Sequence, residues 1–145
     1  MVERQNDGQV PGTVNAGVFA MSLDGEFDIA DRARLLGAFG QATNWPVIIV
    51  DFERVRYVDS TVLECLVALE RAASKRTSTL ILVGLPPEIR RIFEICDLQR
   101  HFDIRTSFSE VATRLRLTAG DVHRVTLVAQ PEVGEIEEHR TEVLW

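Results

Sequence analysis

Hydrophobic positions along the chain fall into two repeating patterns. The run Val47–Val50 is continuous and β-branched, as expected of a strand that is covered on both faces. A short acidic turn is predicted to follow it. Beyond that turn, apolar residues recur at helical spacing and predict a helix: they are Val62, Leu66, Leu69 and Ala73. Asp59 is a good N-cap for this helix, so Ser60 and Thr61 are expected in its first turn.

The same alternation of strand and helix precedes this unit. The segment Val18–Leu23 predicts a short strand, which Asp24 and Gly25 are expected to turn. Asp28 or Asp31 can then cap a helix with an apolar stripe. The stripe consists of Leu35, Leu36 and Phe39.

The pattern continues downstream. A third strand is predicted at Thr79–Val83, and the Pro-Pro pair that follows suits the first turn of a helix. Phe102–Ile104 is predicted to form a short strand, and Ser107 or Ser109 to open a last helix. Closer to the C-terminus, HRVTLVAQ could form an extra strand.

Strands and helices that alternate with short connections indicate a single α/β domain. We expect a small mixed, mostly parallel β-sheet with helices packed mainly on one face. Residues 1–13 are polar and predict a flexible leader. The domain is expected to span residues 14–118. Residues 119–145 are a C-terminal extension, Glu-rich toward its end, whose structure the pattern does not predict.

Charge and composition narrow the class of protein. The chain has 145 residues and a formal net charge of −6, and its cations are scattered among acids. Direct nucleic-acid binding is disfavoured, because it requires clustered cations. No apolar run approaches the roughly 20 residues that span a bilayer, and the polar start lacks the apolar core of a secretory signal. Membrane insertion is therefore not expected, and the expected location is cytoplasmic.

Candidate chemistry is sparse. Cys65 and Cys96 lack a CxxC spacing and are expected to be reduced, buried thiols, although a redox pair stays open if their helices are neighbours. Asp24, Asp28 and Asp59 could be imagined around Mg²⁺, but turns and caps also demand aspartate, so no metal is predicted. The motifs GxSxG, GxxxxGK[ST] and GxGxxG are absent from the sequence. Neither an enzyme nor a bound cofactor is predicted.

Ser60 is the residue that most suggests regulation. Free N–H groups and the positive end of the dipole at the start of the predicted helix favour an added phosphate there. The alternative is that Asp59, Ser60 and Thr61 are ordinary helix-capping residues, which is a common use of these residue types.

Three blocks of sequence resemble, in the same order, the STAS domain of bacterial anti-sigma-factor antagonists. They cover roughly residues 18–117 and are LDGEFDIADRARLL, the stretch from Val47 to Leu66 with DST at 59–61, and LILVGLPPEIRRIFEICDLQRHFDI. The resemblance implies a domain that binds an anti-sigma factor, a serine kinase that itself uses ATP, when the domain is unphosphorylated. Phosphorylation would release the kinase, which then sequesters its sigma factor and so regulates transcription.

The resemblance also assigns roles to individual residues. It implies that Ser60 is the phosphate acceptor, with Thr61 as the alternative. It implies that the partner contacts a set of residues around that hydroxyl: Asp24, Gly25, Asp28, Asp59, Ser60, Thr61 and Val62. A homodimer is compatible with the sequence, which does not define the oligomeric state.

The chain departs from the family pattern at two positions. Val62 replaces the glycine that usually follows the Ser-Thr pair, and we expect its side chain to face solvent or to lie against the loop carrying Gly25, where it would restrict close approach by a kinase. Asp97 replaces a glycine at the end of the third helix, where a left-handed cap tolerates aspartate. The first departure keeps a second function open: a STAS scaffold or accessory subunit of a stressosome or of a lipid or anion transporter, without a working phosphorylation switch.

Overall fold

The computed structural model describes residues 17–130, which form a five-stranded sheet and four α-helices. In chain order the elements are β1 (Val18–Phe27), α1 (Arg32–Ala42), β2 (Val47–Val58), α2 (Ser60–Lys75), β3 (Thr79–Val83), α3 (Pro87–Ile95), β4 (Asp103–Arg105), α4 (Phe108–Arg114) and β5 (Val122–Val128). Short 3-10 turns precede α1, β4 and β5 at Ile29–Asp31, Leu98–Arg100 and Ala119–Asp121.

The strand order in the sheet is β4-β3-β2-β1-β5, and every neighbouring pair is parallel. The predicted α/β architecture is confirmed, but the sheet is parallel throughout rather than mixed. Helices α1, α2 and α3 contribute to the larger core on one face, which includes Phe27, Phe52 and Phe93. On the other face α4 contributes Val111 to a smaller cluster with Ile49. The helices therefore pack mainly on one face, as predicted.

Strands β1 and β2 are both longer than predicted. Asp24 and Gly25 do not turn the chain, because β1 continues through them to Phe27. The acidic turn predicted after Val50 is also wrong, since β2 runs on to Val58. The two strands pair along their length with two register shifts, which accommodate the 12 residues of β2 opposite the 10 residues of β1.

The register shifts explain why the sequence pattern predicts a turn in the second half of β2. After Phe52 the next buried residues are Val55 and Val58, a spacing of three rather than two. A β-bulge places an extra residue in one strand and so shifts the face on which the following side chains lie. The alternation by which a strand is recognised is therefore lost, although the backbone remains paired.

The sheet extends past residue 118, where the domain was expected to end. β5 (Val122–Val128) overlaps the HRVTLVAQ segment and pairs with β1 from Val18 to Asp24 without a register shift. The ring of His123 lies 5.2 Å from that of Trp45 and 5.5 Å from that of Phe19, measured between centroids. Residues 119–130 are thus part of the same fold. The predicted leader (1–13) and residues 131–145 lie outside the described residues.

Several local predictions are confirmed at helix ends. Pro87 is the first residue of α3, and Asp97 after that helix has a φ of 59°, in the left-handed region. Ser107, rather than Ser109, caps α4 and accepts a hydrogen bond from the Glu110 N–H at 3.1 Å. Short-range capping chemistry was therefore predictable from the sequence.

Candidate partner-binding site

The C-terminal ends of β1 and β2 lie side by side. The Asp59 N–H donates to the Phe27 carbonyl at 3.3 Å. The residues that follow the two strands, beginning with Asp28 and Ser60, consequently emerge from the same end of the sheet.

Ser60 is held in an exposed position at the start of α2. Asp59 before it has an extended backbone, and its Oδ1 accepts a hydrogen bond from the Thr61 N–H at 2.9 Å, so Asp59 is the N-cap that the sequence predicted. The Ser60 side chain is exposed and belongs to the first helical turn. A phosphate added to its hydroxyl would meet the favourable end of the helix dipole.

The next two residues point into the protein. Thr61 is 9% exposed and Val62 is completely buried in the main core. The expectation that the Val62 side chain lies at the surface and obstructs a kinase is therefore wrong. Its isopropyl group fills the space beneath the first turn of α2, so it cannot touch a partner that binds the outside of the domain.

Two carboxylates shape the turn that follows β1. Asp28 accepts a hydrogen bond from the Ala30 N–H at 2.9 Å, and Asp31 accepts one from the Asp28 N–H at 3.0 Å, so that the pair forms a capping box. Asp31 is fully buried, and its Oδ1 also accepts from Arg34 at 3.2 Å and from the Gln130 N–H at 2.8 Å. It connects this turn to the segment after β5.

Asp24 and Gly25 lie further back along the paired strands. Gly25 has a φ of 119°, which side chains rarely permit, and a Cβ on it would lie 3.0 Å from the Ala129 Cβ. The Ala129 N–H donates to the Asp24 carbonyl at 2.8 Å, and the Asp24 carboxylate pairs with Arg54 at 3.6 Å. The segment after β5 therefore packs beside this part of β1, so that Asp28 and Ser60, rather than Gly25, are the residues open to a partner.

Two large apolar side chains are exposed at the same end of the sheet. Ile29 is 70% exposed in the turn after β1, and Tyr57 is 53% exposed one position before the end of β2. Tyr57 is paired with Glu26, next to Phe27, across the two strands. We call the surface formed by Asp28, Ile29, Tyr57, Asp59 and Ser60 the switch edge.

The sequence prediction missed Ile29 and Tyr57. Both side chains offer exposed apolar area at this end of the sheet. The signal was present, since each of the two residues is apolar and lies outside every predicted helical stripe and strand run. For Tyr57 this signal could not be used, because the lost alternation in β2 hides which side chains point outward.

The cysteines do not contribute a redox or metal site. Cys65 is buried and Cys96 is exposed, and both are free thiols, so the redox pair that the sequence left open is not formed, and the expected burial holds only for Cys65. Burial raises the pKa of the Cys65 thiol, an effect that nearby Arg32 partly opposes. Among residues 17–130 no group of three or more His, Cys, Asp or Glu side chains could hold a metal ion. No helix within this range is long and apolar enough to cross a bilayer.

A family model described as "Mlab, STAS domain" matches residues 15–111. The chain belongs to the STAS domain family. The matched range contains the whole switch edge and ends within α4, so β5 lies outside it. No curated protein gives a significant sequence match.

Solved structures of STAS proteins have the same fold. An anti-sigma factor antagonist from Mycobacterium paratuberculosis is 24% identical with a TM-score of 0.57, over 64% of this chain and 80% of that one. The phosphorylated form of the Bacillus cell fate determinant SpoIIAA is 23% identical with a TM-score of 0.54, over 66% and 87%. A sulfate transporter family protein from Wolinella succinogenes is 18% identical with a TM-score of 0.62, over 69% and 85%. The fold is therefore shared by regulators and transporter domains.

Proposed function

We propose that this STAS domain is an anti-sigma-factor antagonist whose switch edge binds an anti-sigma factor with serine kinase activity. In this proposal Ser60 accepts the phosphate from ATP bound by the partner, and the STAS domain itself catalyses nothing. The observation that carries the proposal is the contrast between neighbouring hydroxyl residues. Ser60 is exposed in the first turn of α2, whereas Thr61 is 9% exposed.

The switch edge has the properties required of a contact that phosphorylation can break. Ile29 and Tyr57 offer apolar area, and Asp28 and Asp59 already place two carboxylates at the end of the sheet from which Ser60 emerges. Phosphate adds about −1.5 to −2 charges at neutral pH. In an interface this change costs a few kcal/mol through repulsion and desolvation, and about 1.4 kcal/mol already lowers affinity tenfold. The domain itself would tolerate the charge, because a helix N-terminus stabilises it.

Intact mass after incubation with a candidate anti-sigma-factor kinase and ATP tests the proposal. The wild type is expected to gain about 80 Da, the mass of one phosphoryl group, and Ser60→Ala is expected to abolish the gain. Ser109→Ala is the matched control, because Ser109 is also an exposed serine in the first turn of a helix, α4. A mass gain that persists in Ser60→Ala and disappears in Thr61→Ala would show that Thr61, and not Ser60, is the phosphate acceptor.

The second candidate is an accessory domain of a lipid or anion transporter, or a stressosome scaffold. The transporter candidate is favoured by the sulfate transporter family protein and the SulP transporter STAS domain among the structural neighbours. In that case Ser60 would contribute only to helix capping and contact. A purified complex with a transporter ATPase or permease that survives Ser60→Ala and shows no phosphate would support this candidate over the first.

A further inference from the structure

The two outer strands of the sheet differ in how they present their open edges. Within residues 17–130, β4 pairs only with β3, and β5 pairs only with β1. β4 has three residues, and its Asp103 and Arg105 side chains form an ion pair at 2.6 Å. Short length and charged side chains prevent an edge strand from pairing with another chain. The β4 edge is therefore protected.

β5 lacks these protective features. It has seven residues, VHRVTLV, without proline or lysine, and it is paired with β1 without a bulge. Its single arginine, Arg124, has the guanidinium carbon 4.2 Å from the centre of the Phe108 ring, which holds this charge on one face of the sheet. A regular strand with so little charge at its edge is a template for pairing with another strand.

Alternate residues of β5 direct their backbone groups away from β1. The Ala129 N–H donates to the Asp24 carbonyl at 2.8 Å, and Asp24 is paired with Val128. In a parallel pair, this pattern means that the backbone N–H and C=O groups of the odd-numbered residues of β5 point toward β1, and those of the even-numbered residues point toward the open edge of the sheet. The outward residues are Val122, Arg124, Thr126 and Val128. One outward group is already used, because the Val128 carbonyl accepts from Arg34 at 2.8 Å.

We propose that β5 is the interface of a homodimer, in which two copies pair their β5 strands antiparallel about a two-fold axis at Val125. A strand edge can complement itself under such an axis, since each N–H of one copy then meets a carbonyl of the other. This register pairs Arg124 with Thr126, and Val122 with Val128, of the second copy. About six hydrogen bonds remain when the carbonyl used by Arg34 is left out.

Side-chain chemistry favours this register over its neighbour. An axis at Arg124 would place the two arginines directly opposite each other, which destabilises a strand pair. With the axis at Val125, each arginine faces a neutral threonine. The exposed Val128, with 56% of its area accessible, meets another β-branched side chain. A second copy therefore fits the edge without a like-charge contact.

The dimer would leave both switch edges free. The switch edge lies at the C-terminal ends of β1 and β2, and both strands run parallel to β5. Antiparallel pairing of two β5 strands sends the two switch edges to opposite ends of one continuous sheet. Dimer formation is thus independent of Ser60 phosphorylation, and its failure in an experiment would not bear on the proposed function.

Sedimentation velocity of the full chain at concentrations from about 1 to 200 µM tests whether the dimer forms. This range is chosen because a single strand pair buries less surface than the about 1,200 Å² of a stable complex, which implies a dissociation constant in the micromolar range. Thr126→Lys places a positive charge opposite Arg124 of the second copy, and Thr126→Pro removes an outward N–H that β1 does not use. Each is expected to weaken dimerisation at least tenfold. Thr113→Lys is the matched control on the exposed side of α4 and is expected to dimerise like the wild type.

A cysteine at Val125 tests the register. Residues paired across a two-fold axis without mutual hydrogen bonds have Cβ atoms about 4.5–5.5 Å apart, close enough for a disulfide after small shifts. In a Cys96→Ser background, oxidised Val125→Cys is expected to give a covalent dimer, whereas Thr113→Cys is not. The proposal is overturned by a monomeric wild type over the whole concentration range. It is equally overturned if Thr126→Lys dimerises like Thr113→Lys, or if folded Val125→Cys gives no covalent dimer.

Discussion

At the scale of single residues, the start of α2 shows what a sequence can and cannot predict. The N-cap role of Asp59 depends on its own side chain and the Thr61 N–H two positions on, so residue type and local pattern were sufficient. The environment of Val62 depends on which side of the helix faces the sheet and on the volume available there. Because the family usually has glycine at this position, the sequence suggested that the Val62 side chain is exposed, whereas it lies in the main core.

Substitution of Val62 is therefore expected to affect stability before it affects binding. Val62→Ala should lower the free energy of unfolding by about 2–3 kcal/mol through lost burial and the cavity left behind. Val62→Gly should cost up to about 1 kcal/mol more, because glycine is a poor helix former. Urea denaturation measures both. Val67→Ala, at a half-buried position of the same helix, is the control with a smaller expected loss.

Equal losses for Val62→Ala and Val67→Ala would contradict the core position of Val62. In that case Val62→Gly would test whether the Val62 side chain restricts close approach by a kinase. With Val62 in the core, we expect no gain in phosphorylation from Val62→Gly once the unfolded fraction is taken into account.

At the scale of elements, short capped helices were predicted more accurately than the ends of the long strands. Helix starts carry local signals, such as the proline at the start of α3 and Ser107 before α4. The ends of β1 and β2 are determined by their mutual pairing, which bulges maintain where neither strand alternates cleanly. Asp24 and Gly25 are residue types that predict a turn, but their pairing with β2 depends on residues distant in the sequence and cannot be predicted from the local pattern.

Gly25 and Gly37 offer a matched pair of substitutions at this scale. Gly25→Ala is expected to lower the free energy of unfolding by about 1–3 kcal/mol, because the φ of 119° is strained for alanine and the new Cβ would lie 3.0 Å from that of Ala129. Gly37→Ala is expected to raise it by about 0.5–1 kcal/mol, because Gly37 lies in α1 with no atom within 4 Å of the added Cβ.

Thermal and urea denaturation of both variants measure the difference. Opposite signs are the expected outcome of the same glycine-to-alanine change. A Gly25→Ala protein as stable as the wild type would contradict both the positive φ of Gly25 and its close approach to Ala129.

At the scale of the whole molecule, the extent of the fold was the property least accessible from sequence. The alternation in HRVTLVAQ indicated a strand, but nothing in a seven-residue strand identifies its partner. The chain between β4 and β5, which includes α4, crosses from one side of the sheet to the other, because β5 lies beside β1 and not beside β4. The place of β5 beside β1 becomes visible only through long-range contacts, such as those of His123 with Trp45 and of Gln130 with Asp31.

Truncation tests how much the fold depends on this strand. A chain ending at residue 118 would lose every backbone pair between β5 and β1, together with the packing of Val125, Leu127 and Ala129 on the main core. Several hydrogen bonds at about 0.5–1.5 kcal/mol each and partial burial of aliphatic side chains amount to roughly 5 kcal/mol. Whole domains are stable by only about 5–15 kcal/mol. We therefore expect the chain 1–118 to be largely unfolded by circular dichroism, and the chain 1–130 to unfold cooperatively in urea. A 1–118 chain that folds as stably as 1–130 would show that β5 is an accessory to the domain and not a part of its structural unit.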